Sequence, residues 1–351
     1  MIDIKGLLSE AVRRGASDLH ICCGASPQYR IHGKLTDSNL QKMTPSDCLG
    51  VLLDMTDEEQ RIAFEKDGVI DVSVSFEGGR FRVNAYKQRG TITLVIRIVD
   101  TELPDPKELF IPGQVMGLCE KEKGLVVVSG PSGSGKSTVL AAFLDHINST
   151  RKKNIITLED PIEYLHDHKV SIVNQREIGI DADSYEDALD CALREDPDVI
   201  FVSRIDSCEV LLSVLRAVEN GKLVFIASFF TGVSDVVAGF IDMFEPAKRS
   251  SVLTRLSSAL EGIVCRQLIP TKDGYRRPAY EVLLADNNVR NTIRAGKISL
   301  LGSLLHNGHD RGMFTMDESV FGLYKSGIID ADTAVRYSVN TDVMKNIVSQ
   351  S

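Results

Sequence analysis

The sequence predicts an α/β protein of two domains, and three observations support that prediction. A glycine-rich loop at residues 130–138 follows an apolar strand and opens a helix. Strand and helix patterns alternate from residue 124 to about residue 228, which is typical of a mostly parallel sheet covered by helices. The first hundred residues combine one amphipathic helix with short alternating strands, which indicates a smaller α+β domain.

Composition restricts the class of protein. The chain has 351 residues, of which 43% are hydrophobic and 25% charged, and its net charge is -9. These values are typical of a folded protein with room for two domains, and the charge gives no support for a nucleic-acid partner. No apolar stretch approaches the ~18 residues needed to cross a bilayer, and the start lacks a signal-peptide core. We therefore expect a cytoplasmic protein that reaches a membrane only through partners.

The first predicted domain covers residues 1–100. Apolar residues at positions 2–12 fall on one face of a helix. Strands are predicted at 18–23, 29–35, 69–76, 81–87 and 91–99, with helices near 45–65. Residues 101–114 carry prolines among acidic residues, which favours a linker.

The second predicted domain covers residues 115–270 and is followed by a helical C-terminal region at 271–351. Strands are predicted at 124–129, 154–158, 170–175, 198–203, 222–228 and 264–269. Helices are predicted at 136–147, 184–194 and 207–219. No internal repeat marks the sequence.

The glycine-rich loop has the composition of a phosphate-binding site. Its residues are Gly130, Pro131, Ser132, Gly133, Ser134, Gly135, Lys136, Ser137 and Thr138. The glycines let successive backbone N–H groups turn toward phosphate oxygens, and the following helix N-terminus favours anions. Lys136 suits the β- and γ-phosphates, and the Ser137 hydroxyl suits Mg²⁺. The sequence therefore predicts that the chain binds ATP or GTP.

Cysteine and histidine give no sign of a structural metal. The seven cysteines lie apart with no CxxC pair, so reduced thiols are favoured over disulfides. The seven histidines show no ligand cluster in the sequence. Ser137 is the one residue that we assign to a metal.

Several blocks resemble a known family. They are residues 15–20 (GASDLH), 80–85 (RFRVNA), the phosphate-binding loop, 158–164 (LEDPIEY), 192–198 (ALREDPD) and 289–294 (VRNTIR). In this order they resemble the secretion ATPase superfamily, specifically the PilT-type motors that retract bacterial type IV pili. Type II or type IV secretion ATPases are a weaker alternative, since the assembly-type members often carry a four-cysteine zinc motif that this sequence lacks.

The resemblance implies a fold, ligands and partners. It implies a RecA-like P-loop ATPase domain with a small α+β PAS-like N-terminal domain, assembled as a ring of six subunits. It also implies ATP and Mg²⁺ as ligands, a role in pilus retraction and twitching motility, and an inner-membrane pilus platform protein as partner.

The resemblance further implies roles for four charged residues. Glu163 corresponds to the water-orienting carboxylate, with Glu159 as the second candidate; a solvated turn is the alternative for both. Arg82 and Arg97 resemble arginines that reach a nucleotide across the subunit boundary. Pairing with neighbouring carboxylates on a strand face is their alternative.

Two positions depart from the family pattern. Arg204 stands where the family has a glutamate that organises Mg²⁺, and a guanidinium has donors but no acceptor for a cation. Asp206 stands where the family has an arginine, so an ion pair between these two residues is expected. Phe229 stands where the family has a histidine near the γ-phosphate. These departures predict ATP binding with slow or absent hydrolysis, and favour as an alternative an accessory subunit that supports a sister pilus motor.

Overall fold

Two β-sheets organise the chain. The structure is a computed structural model that describes residues 3–31, 33–76, 79–99, 103 and 105–350. One structural unit spans residues 1–102 and takes in Glu163–Leu165; the other comprises 103–162 and 166–351. Within the predicted linker, residues 101, 102 and 104 lie outside the described residues.

The first unit is an antiparallel sheet with three helices. Its elements are α1 (Ile4–Arg13), β1 (Ala16–Cys22), β2 (Gln28–Ile31), β3 (Lys34–Asp37), α2 (Pro45–Met55), α3 (Glu58–Asp67), β4 (Val69–Phe76), β5 (Gly79–Gln88) and β6 (Thr91–Val99). The strand order is β3-β2-β1-β6-β5-β4. Thr44 and Asp57 begin α2 and α3 with reciprocal side-chain caps, which satisfy backbone N–H groups that the first turn leaves unpaired. The apolar faces of the helices and the sheet share one buried core.

The second unit is a mostly parallel sheet between two layers of helices. Its elements are α4 (Gly113–Met116), β7 (Gly124–Ser129), α5 (Lys136–Thr150), β8 (Asn154–Glu159), β9 (Ile172–Glu177), α6 (Tyr185–Ala192), β10 (Val199–Val202), α7 (Cys208–Glu219), β11 (Leu223–Ser228), α8 (Val233–Asp242), α9 (Pro246–Ala259), β12 (Leu260–Pro270), β13 (Arg276–Leu284), α10 (Asn287–Arg294), α11 (Leu301–His306), α12 (Met316–Lys325), α13 (Ala331–Tyr337) and α14 (Thr341–Ser349). Short 3₁₀ turns occupy Gly117–Glu120, Ile298–Leu300 and His309–Arg311.

The strand order of this sheet is β13-β12-β7-β11-β10-β8-β9, and β13 alone among these strands is antiparallel to its neighbour. Alternate residues of β7 enter two different cores. Leu125 and Val127 join the core formed with α6–α9, whereas Val126 and Val128 pack with Phe143 of α5. Burial on both faces explains the continuous apolar run of β7.

The strand predicted at 29–35 is wrong in one respect: the structure divides it into β2 and β3. Gly33 between them has φ +80°, a left-handed conformation that glycine adopts without steric cost and that turns the chain into a hairpin.

The C-terminal region predicted at 271–351 is not wholly helical. β12 is longer than the strand predicted at 264–269, and β13 pairs with it from residue 276 to residue 284. The sheet therefore continues past residue 270, where we placed the end of the second domain. β13 begins with charged residues and contains Pro278, which obscured it; a proline is tolerated there because β13 is an edge strand.

Candidate nucleotide-binding site

The phosphate-binding loop lies at the carboxyl edge of the parallel strands. Buried β7 ends at Ser129, and α5 begins at Lys136 immediately after Gly135. The first-turn N–H groups of this 15-residue helix have no partners within the helix, so they and the helix dipole can bind an anion.

Two glycines of the loop are required by close contacts as well as by backbone conformation. Gly130 and Gly135 have φ values of +147° and +82°. A Cβ atom at Gly130 would overlap the Arg266 carbonyl oxygen and approach the Ser134 hydroxyl. A Cβ atom at Gly135 would overlap the Arg266 guanidinium. The loop backbone therefore packs directly against β12.

Arg266 is a site residue that the sequence does not reveal. Its neighbour Cys265 pairs with Ser129 in the sheet, which places Arg266 beside the start of the loop. The side chain is buried; its Nη1 donates to the Gly135 carbonyl at 2.6 Å, and its guanidinium lies 5.6 Å from the centre of the Tyr280 ring. Burial raises the pKa of Tyr280 to about 12, against the opposing effect of the Arg266 charge. An arginine in the middle of the predicted strand 264–269 was the available signal, because arginine is seldom buried without a partner.

Lys136 is folded back onto the loop. Its Nζ is buried with the side chain and donates to the carbonyl oxygens of Gly130 and Pro131, at 2.9 and 3.0 Å. Nζ also lies 4.5 Å from the centre of the Phe229 ring, within the range of a cation–π interaction. Ser137, half-buried in the first turn of α5, follows directly.

Phe229 is held at the site by the parallel pairing of β11 with β7. Ser228 pairs with Ser129, and the Ser129 hydroxyl donates to the Phe230 carbonyl at 2.6 Å. Phe229 is 54% exposed although its ring contacts Lys136, so an apolar side chain is presented to solvent beside the loop lysine.

Arg204 follows β10 along the same sheet edge. Its guanidinium lies 3.3 Å from an Asp206 carboxylate oxygen and 3.8 Å from one of Asp160, so the expected Arg204–Asp206 ion pair is present. Ser203 accepts a hydrogen bond from the Asp160 backbone at 3.1 Å, and its hydroxyl lies 2.7 Å from that of Tyr185. Burial raises the pKa of Tyr185 to about 12.

The two candidate catalytic carboxylates differ in their surroundings. Glu159 ends β8, is buried, and accepts hydrogen bonds from Thr157 at 2.6 Å and from Gln175 at 3.0 Å. Glu163 is exposed and belongs to the first structural unit.

The two candidate arginines of the first unit both have local carboxylate partners. Arg82 on β5 makes a two-pronged contact with Asp71, at 2.8 and 2.9 Å. Arg97 on β6 bonds to Asp18 through Nε at 3.0 Å, while its side chain stays 67% exposed.

A buried strand, a glycine loop and a helix that begins with Lys136 define a nucleotide-binding protein of the P-loop class. The sequence model of the family described as "Type II/IV secretion system protein" matches residues 1–277. The type IV pilus retraction ATPase PilT of Pseudomonas aeruginosa is 35% identical over 334 residues, which are 95% of this chain and 97% of that protein. The chain therefore belongs to this secretion ATPase family, among the PilT-like type IV pilus ATPases.

Two further comparisons agree. The type IV pilus ATPase PilU of Pseudomonas aeruginosa is 33% identical over 349 residues, covering 99% of this chain and 91% of that protein. A crystal structure of the pilus retraction motor PilT with bound ADP has a TM-score of 0.93 and 38% identity, covering 99% of this chain and 100% of that one. The predicted α/β fold class and family are confirmed. Across the described residues, no helix has the length and apolar character of a membrane span.

Proposed function

We propose that this chain is an ATP-binding ring motor that drives type IV pilus retraction and twitching motility. The main support is its similarity to the retraction ATPase PilT at 35% identity over 95% of the chain. In this proposal six copies form a ring in the cytoplasm beneath the inner membrane, where they contact the pilus platform protein.

Residues 130–138 hold the nucleotide in this proposal. The loop fits a phosphate group because its glycines carry no side chains, the space at Gly133 is open, and α5 begins directly behind it. The Lys136 ammonium exchanges the carbonyls of Gly130 and Pro131 for phosphate oxygens, and the Ser137 hydroxyl is placed to hold Mg²⁺. When bound, ATP and Mg²⁺ supply the phosphoryl group and the cation that neutralises its charge.

Glu163 is our preferred residue for orienting the attacking water. Its carboxylate is exposed, whereas one oxygen of Glu159 already accepts hydrogen bonds from Thr157 and Gln175. Glu159 is therefore better suited to positioning neighbouring groups than to taking a proton.

Arg97 is our preferred candidate for contacting the nucleotide of a neighbouring subunit. Its side chain is 67% exposed, and its bond to Asp18 is made through Nε. Arg82 is less accessible because Asp71 engages it at two nitrogens.

We further propose that hydrolysis by the isolated chain is slow. Phe229 lies against Lys136, and its ring has no hydrogen-bonding atom. Arg204 is positively charged and has no acceptor atom that could coordinate Mg²⁺. Loss of one stabilising group of this kind typically costs about 10²–10³-fold in turnover. These positions also favour a second candidate function, an ATP-binding accessory subunit that supports a sister motor.

A phosphate-release assay tests this proposal. We expect saturable ADP and ATP binding, with turnover at least about 100-fold below that of a PilT motor assayed alongside. Turnover within a few-fold of that motor would refute the slow-hydrolysis proposal, and absence of nucleotide binding would refute the assignment of residues 130–138.

Retraction in cells separates the two candidate functions. Loss of retraction in both the deletion strain and the Lys136→Ala strain supports the motor. Loss in the deletion strain alone supports the accessory subunit, because that role can tolerate an empty nucleotide site.

A further inference from the structure

Three ligand-type side chains meet in the C-terminal part of the second unit. His306 Nδ1 and His309 Nε2 each lie 2.9 Å from the same oxygen, Oε1 of Glu318. The two imidazole rings are 6.0 Å apart and nearly perpendicular. The cluster is not evident in the sequence because Glu318 comes from a separate helix; the His-x-x-His spacing of residues 306–309 is its one local signal.

Each side chain is placed by the end of a helical element. His306 is the last residue of α11, His309 begins the next 3₁₀ turn, and Glu318 lies in the first turn of α12. The second Glu318 oxygen accepts the Thr315 backbone N–H at 2.8 Å, which fixes the carboxylate and directs Oε1 toward the imidazoles. Partial burial raises the pKa of Glu318, but hydrogen bonds from Thr315 and His309 outweigh it and lower the pKa below its usual value.

We propose that His306, His309 and Glu318 bind a divalent transition metal ion of the zinc type. Two imidazole nitrogens and one carboxylate oxygen are the donors that Zn²⁺ accepts, whereas Mg²⁺ and Ca²⁺ prefer oxygen alone. All three ligand atoms lie within 4.8 Å of one another, so small side-chain movements bring each to a bond length of about 2.0–2.2 Å.

The site is accessible and leaves part of the coordination sphere to water. The side chains of His306 and His309 are 72% and 53% exposed, and that of Glu318 is 29% exposed. A bound ion joins the end of α11 to the start of α12 and stabilises this helical region. Because the ligands are exposed, the bound ion exchanges with ions in solution.

Metal titration of the tag-free, chelator-treated full-length chain tests the proposal. We expect one Zn²⁺ per chain by equilibrium dialysis, and a visible absorption band when Co²⁺ replaces Zn²⁺. His306→Ala and Glu318→Gln should each weaken binding at least about 10-fold, because each removes one of three ligands. Glutamine can still cap α12 at this position, so Glu318→Gln retains the helix start.

Two controls locate the ion. His146 pairs with Glu120 at the same 2.9 Å but, across the described chain, belongs to no three-ligand group. His146→Ala should therefore leave Zn²⁺ binding unchanged, and so should Lys136→Ala, which acts at the nucleotide site. Absence of saturable binding, or equal binding by wild type, His306→Ala and Glu318→Gln, would overturn the proposal.

Discussion

The phosphate-binding loop and the neighbouring strand ends of β10 and β11 share one sheet edge but are supported differently. Buried contacts fix the loop: Arg266 binds the Gly135 carbonyl, and Lys136 binds two loop carbonyls. At the strand ends, Phe229 is 54% exposed and the Arg204 side chain 46% exposed. Substitution of exposed side chains costs little stability, so the hydrolytic part of such a site can change while the nucleotide-holding part remains.

The largest expected effect is a gain of turnover in the double variant Arg204→Glu, Phe229→His. It places an imidazole beside Lys136 and a carboxylate at the end of β10 on the same sheet edge, so we expect phosphate release to rise at least about 100-fold. Adding Lys136→Ala should abolish the gain. An unchanged rate would mean that these two positions do not limit hydrolysis.

The next effect concerns nucleotide affinity. Lys136→Ala removes the ammonium that we propose binds the phosphates, and a hydrogen bond to a charged group contributes about 1.5–3 kcal/mol. We expect ADP to bind about 10–100-fold more weakly by calorimetry. Lys152→Ala, at an exposed position, is the matched control and should leave affinity unchanged.

A pair of glycine variants tests the tight contact between the loop and β12. The Cβ atom added by Gly133→Ala has no other atom within 4 Å, so the only cost is the backbone strain of φ +75°, about 1–2 kcal/mol. Gly130→Ala adds the overlap with the Arg266 backbone carbonyl, about 1–3 kcal/mol more. Urea unfolding should therefore rank wild type, Gly133→Ala and Gly130→Ala in decreasing stability. Equal stability of the two variants would contradict the tight packing of Gly130.

The smallest effect is expected for Arg204→Ala. The ion pairs of Arg204 with Asp160 and Asp206 are exposed at distances of 3.8 and 3.3 Å, and such pairs contribute at most about 1 kcal/mol. We expect the free energy of unfolding to fall by no more than that. A decrease of about 3 kcal/mol in the free energy of unfolding would show that contacts at the end of β10 stabilise the protein as much as those of the loop.

The sequence by itself determined the class of fold and the position of the phosphate-binding loop. Periodicity and loop chemistry are local properties, and β7 with residues 130–138 carries both within fifteen residues, 124–138. The proposed roles of Glu163, Glu159, Arg82 and Arg97 come from family resemblance and remain predictions. The strand β13 was not predicted, because its charged first residues and Pro278 are compatible only with an edge strand.

Tertiary structure alone decided which distant residues share the site. Arg266 is 131 residues from the Gly135 carbonyl that it binds, and Phe229 reaches Lys136 through the pairing of β11 with β7. Likewise, His306 and His309 meet Glu318 only because α11 and α12 pack in the same region. Such neighbours depend on strand order and helix packing, which no local sequence pattern specifies.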